Sequence, residues 1–196
     1  MRTLSVVNNI SLDGVTQAPG SPDEDTRNGF RYGGWSAAYN DEILSRTMSK
    51  GMAGEGAMLF GRRTYQNFAS YWPFQGDNPF TVYMNRVQKF VASNGLNEPL
   101  PWANSVLLSG DTLQAIAELK ASEGPDLTVI GSGELVRSLL AARLVDKLTL
   151  VIHPLLLGNG HRLFDERPER QNFRLVESTP TSTGVIIGEY ELVLQE

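Results

Sequence analysis

Residues 127–140, Leu-Thr-Val-Ile-Gly-Ser-Gly-Glu-Leu-Val-Arg-Ser-Leu-Leu, constrain the fold of this chain more than any other stretch. The apolar and β-branched run Leu127 to Ile130 stops abruptly at Gly131-Ser132-Gly133. Behind it, Leu135, Val136, Leu139 and Leu140 recur at helical spacing. The pattern is a strand, a glycine turn and a helix start. The first backbone N–H groups of such a helix lack internal partners and face whatever lies over the turn. The helix dipole favours negative charge there, so a phosphate site is one reading and a simple bend is the other.

The rest of the chain supplies similar units. Thr3 to Ile10 reads as a buried strand ending at Ser11-Leu12-Asp13-Gly14. A long polar stretch, Gln17 to Asn40, follows; loops of this length inside a domain are usually functional. Phe30, Tyr32 and Trp35 within it are expected to dock part of it on the body. Helices are expected over Asp41 to Met52, with Ile43, Leu44, Met48 and Met52 on one face, and over Thr64 to Tyr71, stopped by Pro73. Short strands are expected at Ala57 to Phe60, Lys89 to Ala92 and Ser105 to Leu108. Asp111 and Gln114 form a capping box for a helix with Leu113, Ile116 and Leu119 facing inward. A long strand, Lys147 to Leu156, precedes a hairpin of Phe173 to Ser178 and Gly184 to Leu194 around Pro180-Thr181-Ser182-Thr183. Strands alternating with helices imply a three-layer α/β domain spanning residues 1–196. Its sheet is mostly parallel and is made mixed by the closing hairpin.

Charge and composition exclude several classes. A net charge of −5 argues against non-specific nucleic-acid binding. The absence of cysteine removes disulfides, thiol nucleophiles and thiolate metal sites, and fits a reducing cytoplasm. The longest apolar stretch, near residues 148–157, is broken by His153-Pro154 and falls short of the ~20 residues needed to cross a bilayer. The N-terminus turns polar too early for a signal peptide, so a soluble cytoplasmic protein is expected. His153 and His161 are too far apart for a zinc pair on one element; no metal is expected, and both are read as structural.

A second turn repeats the first with different chemistry. In Ala57-Met58-Leu59-Phe60-Gly61-Arg62-Arg63-Thr64-Tyr65 a strand ends at Gly61 and a helix begins near Thr64. Guanidinium forks match phosphate geometry, and a threonine hydroxyl with free amides completes a cradle. The plainer alternative is solvated arginines, paired with Glu55 or Asp77. Both Gly61 and Gly131 fall at carboxyl ends of strands, where open parallel sheets bind ligands. Two helix N-termini and two arginines on one edge suit a molecule with separated phosphates, such as a dinucleotide carrying an extra ribose phosphate. Neither turn is G-x-G-x-x-G, so the ordinary Rossmann fingerprint is absent.

The ordered set of motifs resembles a known family. The pieces are Ser11-Leu12-Asp13-Gly14, Leu59 to Tyr65, Tyr71-Trp72-Pro73, Phe90-Val91-Ala92-Ser93, Val129 to Gly133, Leu144 to Leu148, His153 to Gly160, and Leu163-Phe164. The chain is similar to the dihydrofolate-reductase-like superfamily. Within it, the resemblance is to stand-alone proteins related to the C-terminal reductase domain of the riboflavin-biosynthesis deaminase/reductase. The resemblance implies an NADPH-dependent oxidoreductase. Gly61, Arg62, Arg63 and Thr64 would hold the adenosine-side phosphates, with Arg62 or Arg63 selecting the 2′-phosphate. Ser93 and Asn94 would flank that ribose phosphate and the adenine. Gly131, Ser132, Gly133, Glu134 and Leu135 would carry the pyrophosphate, with Gly131-Ser132 as a cis peptide, and Asn8 and Asn9 would lie near the nicotinamide amide. A homodimer is implied as well, for which Leu155-Leu156-Leu157 is the hint in this chain.

The departures from the family pattern concern the substrate. The carboxylate that protonates the pterin in true dihydrofolate reductases falls near Ser45, with Asp41 and Glu42 one turn earlier, and its supporting threonine appears as Val151. Proton-donor candidates are Asp13, Asp41, Glu42 and Tyr32. Asp13 is also read as a substrate contact or, alternatively, a turn cap; Trp35 as a stacking wall or a loop anchor. The expected activity is hydride transfer from NADPH to a small pterin- or aminopyrimidine-like heterocycle. The alternatives are true dihydrofolate or ribosylaminopyrimidine reduction, and a non-catalytic NADP-binding module.

Overall fold

The computed structural model describes residues 1–50, 54–164 and 170–193. Eight strands form one sheet: β1 (Leu4–Ser11), β2 (Gly56–Gly61), β3 (Gln88–Ala92), β4 (Ser105–Leu108), β5 (Asp126–Ile130), β6 (Lys147–His153), β7 (Asn172–Pro180) and β8 (Ile186–Val193). Their order is β4-β3-β2-β5-β1-β6-β8-β7. The pairs from β4 to β6 are parallel, whereas β8 runs antiparallel to both β6 and β7. The expected mixed sheet with a C-terminal hairpin is what forms.

Among the described residues five α-helices cover it: α1 (Glu42–Lys50), α2 (Arg62–Ala69), α3 (Pro79–Arg86), α4 (Thr112–Ala121) and α5 (Gly133–Ala141). Strand side chains alternate between faces, so the odd and even residues of β1 serve different layers. Leu4 and Val6 pack with Leu127, Val129 and Leu148 beneath Ile116 of α4 and Val136, Leu139 and Leu140 of α5. On the other face, Met58 and Phe60 pack against Tyr65 of α2 and Tyr83 and Met84 of α3, while Leu44 of α1 packs on Val151, Val185 and Ile187. Three layers result.

Several boundaries differ from the sequence reading. Helix α2 begins at Arg62 rather than near Thr64, so both arginines are its first residues. Pro73 lies inside a short 3-10 turn, Trp72–Phe74, which begins three residues beyond the α2 end at Ala69. Strand β6 stops at His153 because Pro154 has no N–H for the ladder. Helix α3 was not anticipated; Asn78 caps it by accepting from Thr81 N at 3.0 Å, with Pro79 in the first turn, a signal present in the Asn-Pro pair. Asp111 caps α4, but Gln114 Nε2 donates to Glu118 Oε1, so the capping box is only half formed. The Gly131-Ser132 bond is not cis; the turn is made instead by consecutive positive φ values of 64° and 57°. The expectations for Met52 and Leu194 lie outside the described residues.

The long loop does dock. Phe30 and Trp35 are buried with Val15 and Ala18 against Leu155 and Leu157. The Trp35 indole donates to Gln17 O at 2.7 Å, which pins the loop to its own root.

Candidate active site

The two glycine turns meet. Ser132, left-handed at the head of α5, donates through Oγ to Thr64 Oγ1 at 2.6 Å and accepts from Gly61 N at 3.0 Å. One hydroxyl thus stitches the β5–α5 turn to the β2–α2 turn. A Cβ on Gly61 would sit 3.0 Å from that Ser132 oxygen, so a side chain there would push the bridging hydroxyl aside. Around the stitch lies a cavity of about 410 Å³, lined by Gly61 to Thr64, Ala92 to Gly95 and Ser132 to Leu135, with Thr16 and Arg27 at one side. Three strand ends and two helix N-termini therefore converge on one space.

Its cations are not equivalent. Arg63 Nη1 donates to Glu134 at 2.9 Å, and Arg27 of the long loop donates to the same carboxylate at 3.1 Å. Burial opposes ionisation of Glu134, but the Arg27 hydrogen bond and the Arg63 charge outweigh it and hold its pKa below the usual carboxylate range. The alternative pairing of the arginines with Glu55 or Asp77 does not occur among the described residues. Arg62 has no carboxylate partner among the described residues, and its stem lies beside Gly95. Ser93 Oγ accepts from Gly95 N at 3.1 Å, shaping that loop. Asn94 reaches the cavity wall, but its amide is spent bracing Gly110, accepting at 2.6 Å and donating at 2.9 Å.

Asn8 and Asn9 occupy opposite faces of β1, so they cannot flank one amide together. Asn8 is buried; its Oδ1 accepts from Thr16 Oγ1 at 2.6 Å, and its Nδ2 has no partner. Asn9 faces the α1 side, where its Oδ1 lies 2.9 Å from His153 Nε2. His153 is fully buried, and desolvation pushes its pKa down to about 4, so the ring is neutral. Along that face runs a groove of about 570 Å³, lined by Ser5 and Val7 of β1, Thr128 and Ile130 of β5, and Met48 of α1. It approaches the first cavity at the β5 tip: Ile130 lines the groove and Ser132 lines the cavity.

The proton-donor candidates are placed as follows. The Asp13 carboxylate accepts from Ser11 Oγ, Leu157 N and Gly158 N, which ties the Ser11–Gly14 turn to the segment after β6. Burial works against its charge, and these bonds outweigh it, so its pKa is lowered. Asp41 caps α1 by accepting from Leu44 N at 2.7 Å and also accepts from Ser182; these bonds hold it down at about 2. Neither holds a proton near neutrality. Glu42 is exposed and paired with Arg46, and Tyr32 is 54% exposed with its ring edge-on to Phe30. Trp35 presents only an edge contact, to His153 at 5.0 Å. The position expected for a pterin-protonating acid is Ser45, which is exposed; the inward residue of α1 is Leu44, in contact with the Val151 cluster. The His153–Asn9 contact joins residues 144 positions apart, and no spacing in the sequence links them. No group of metal-ligating side chains occurs among the described residues, and no described helix is long and apolar enough to cross a membrane.

Comparison with known proteins agrees with this geometry. The chain is 28% identical over 134 residues to the uncharacterized Bacillus subtilis protein YyaP, covering 66% of this chain and 70% of that one. In three dimensions it resembles a Shewanella sp. PV-4 protein named for riboflavin biosynthesis, with a TM-score of 0.68 and 24% identity over 98% of this chain and 99% of that one. A pyrimidine reductase-like protein from Corynebacterium diphtheriae aligns at a TM-score of 0.64 and 14% identity over 99% and 93%. Dihydrofolate reductase from Enterococcus faecalis, solved with NADP(H) and RAB-propyl, aligns at 0.59 and 16% over 97% and 96%. The fold is therefore dihydrofolate-reductase-like. A family model, the RibD C-terminal domain, matches residues 2–187, and the chain belongs to that family.

Proposed function

We propose that this protein is an NADPH-dependent reductase that transfers hydride to a small, flat, heterocyclic substrate. The observation that carries the reading is the Ser132–Thr64–Gly61 stitch, which makes two helix N-termini into one anion cradle with Arg62 at its edge. The donor set fits a dinucleotide phosphate. Free α2 and α5 amides and the Thr64 hydroxyl suit a pyrophosphate, and Arg62 with Ser93 suits a ribose phosphate. The unpaired Asn8 Nδ2, buried behind Thr16, suits the carbonyl of a carboxamide. When bound, NADPH supplies the hydride. The chain's task is then to orient the two rings near the β5 tip, where the groove at Ile130 approaches the cavity at Ser132, and to keep water out. Family membership and the NADP(H) held by the Enterococcus faecalis enzyme support this reading.

Pairing of two copies belongs to the same proposal. Leu156 is 73% exposed, while Leu155 and Leu157 on either side pack inward, which leaves one apolar contact free. The test of the cofactor reading is quenching of intrinsic fluorescence by NADPH and by NADH. Micromolar binding of NADPH, at least tenfold tighter than NADH, is expected; no uptake of either at millimolar concentration ends it.

A further inference from the structure

The long loop reaches the cavity through contacts that the cofactor reading does not use. Its two ends are fastened to each other: Gly34 N donates to Ala18 O at 2.8 Å, Ser36 N to Pro19 O at 3.1 Å, and the Trp35 indole to Gln17 O. The buried Gln17 amide fixes what lies between. Its Nε2 donates to Asp25 O and Arg27 O, both at 3.1 Å, while its Oε1 accepts from His161 N at 3.0 Å. Residues 25–27 are therefore held to the root of the loop, which carries the tip, residues 20–28, as a unit. Two further hydrogen bonds tie that tip to the helices framing the cavity. Asn67 Nδ2 of α2 donates to Glu24 O at 3.2 Å, and Arg27 Nη1 donates to Glu134 Oε1 of α5 at 3.1 Å. Glu24, Arg27, Asn67 and Glu134 all line the cavity, so the tip is a strap between its walls.

The two sides of Arg27 are bound differently. Its Nε and Nη2 donate to the two oxygens of Asp25 at 2.8 and 2.6 Å, a two-pronged pair that sets the plane of the guanidinium. The contact with Glu134 is a single bond between side chains 37% and 58% exposed, and a pair of that kind is weak and readily exchanged. Glu134 gives one oxygen to Arg27 and the other to Arg63. One carboxylate thus bridges two guanidinium groups beside the anion cradle, with solvent on its open side.

Resting on the cofactor reading, we propose that Glu134 is a stand-in anion that latches the strap to α5, and that a phosphate group of the dinucleotide displaces it from Arg27. Arg27 is then a cofactor-binding residue, presented by Asp25, and the strap closes on the ligand instead of on Glu134. The exchange runs forward because a pyrophosphate offers more charge and more acceptor oxygens than one carboxylate. Arg27 stands at the α5 turn, whereas Arg62 lies beside Gly95, so Arg27 reads the phosphates that NADPH and NADH share.

The chain has no cysteine, so two can be introduced for spin labels: Asp23→Cys at the tip and Ala121→Cys at the end of α4, both exposed positions. Pulsed electron resonance then reads the strap as a distance distribution. In the labelled protein without ligand it should be narrow and should broaden at high salt. Glu134→Ala and Arg27→Ala break the same ion pair, and each should broaden it. Saturating inorganic pyrophosphate should narrow it again in Glu134→Ala, where Arg27 gains a new anion, and leave it broad in Arg27→Ala. By calorimetry Arg27→Ala should weaken NADP+ and NAD+ alike, about tenfold, whereas Glu134→Ala should tighten both. A narrow distribution in ligand-free Glu134→Ala, no narrowing there by pyrophosphate, or equal narrowing in Arg27→Ala overturns the proposal. Opposite shifts in affinity from the two variants are required as well; shifts of the same sign make the pair merely structural and overturn it. Absence of NADP+ binding in the unmodified protein retires the cofactor reading, while the response of the strap to pyrophosphate still decides this one.

Discussion

Ser132 Oγ and Thr64 Oγ1 lie 2.6 Å apart although 68 residues separate them, and their hydrogen bond joins the two strand-to-helix turns. Ser132 Oγ also accepts from Gly61 N, and because Thr64 Oγ1 is the acceptor of the Ser132 bond, its own hydroxyl proton remains available for a further partner. The left-handed φ of 57° at Ser132 is the conformation that brings its side chain across.

Ser132→Ala is expected to lose both bonds while keeping an unfavourable φ. A destabilisation of about 1–3 kcal/mol by urea denaturation should accompany it. NADPH affinity should fall at least tenfold as the turns separate. Ser132→Gly relieves the backbone, so it should recover stability without recovering affinity. Recovery of both would show that the hydroxyl bridge has no part in holding the cradle.

The two arginines should behave differently. Arg63 is paired with Glu134, and Arg62 faces the Ser93–Gly95 loop. Arg62→Ala is expected to weaken NADPH by tenfold or more and NADH by little, and Arg63→Ala to have a smaller, less selective effect. Glu134→Gln removes a negative charge from the anion cradle and should tighten NADPH several-fold at low salt. Equal losses of NADPH and NADH in the Arg62 variant would reject the ribose-phosphate assignment.

Antifolates of the diaminopteridine type should bind weakly, because α1 offers the groove Thr47, Met48 and Lys50 rather than a carboxylate. Leu44→Asp is expected to destabilise the fold by about 2–5 kcal/mol, since it buries an unpaired acid against Val151. Calorimetry with methotrexate measures the first expectation; submicromolar binding would contradict it.

Lys89 is fully buried; its ammonium donates to Val87 O at 2.8 Å and Ala103 O at 3.0 Å and lies 4.4 Å from the centre of the Trp102 ring. Burial pushes its pKa down to about 8 from 10.5. The unfolded chain therefore binds more protons between those values, so stability rises with pH across that window and is lowest below it. The rise should be on the order of 3 kcal/mol at about 1.4 kcal/mol per pKa unit. Denaturation between pH 7 and 10.5 should show this rise in the wild type, and Lys89→Met should flatten it. A wild-type stability that is level across the same range would count against the assignment.

Much of the fold was legible because hydrophobic periodicity is a local property. Leu127 to Ile130 followed by Leu135, Val136, Leu139 and Leu140 defines β5 and α5, and Gly131 marks the turn. Helix α3 is only eight residues long, and its signals were the Asn78-Pro79 cap and Phe80, Tyr83 and Met84 at helical spacing. Both strand-to-helix turns were visible as glycine at a strand end, and the resemblance supplied the rest of the candidate cofactor residues.

Pairing was not legible. Glu134 reads as one more first-turn acid, yet it neutralises Arg63 and tethers Arg27 of the long loop. Asn8 and Asn9 read as a unit, but the two-residue strand period sends their side chains to opposite faces. The chain by itself determined which segments become strands and helices and which turns can expose backbone amides, since burial pattern and glycine act over a few residues. Only the tertiary structure decided which arginine stays available, which asparagine meets His153 and which hydroxyl joins the turns, because each depends on strand order and register between residues distant in sequence.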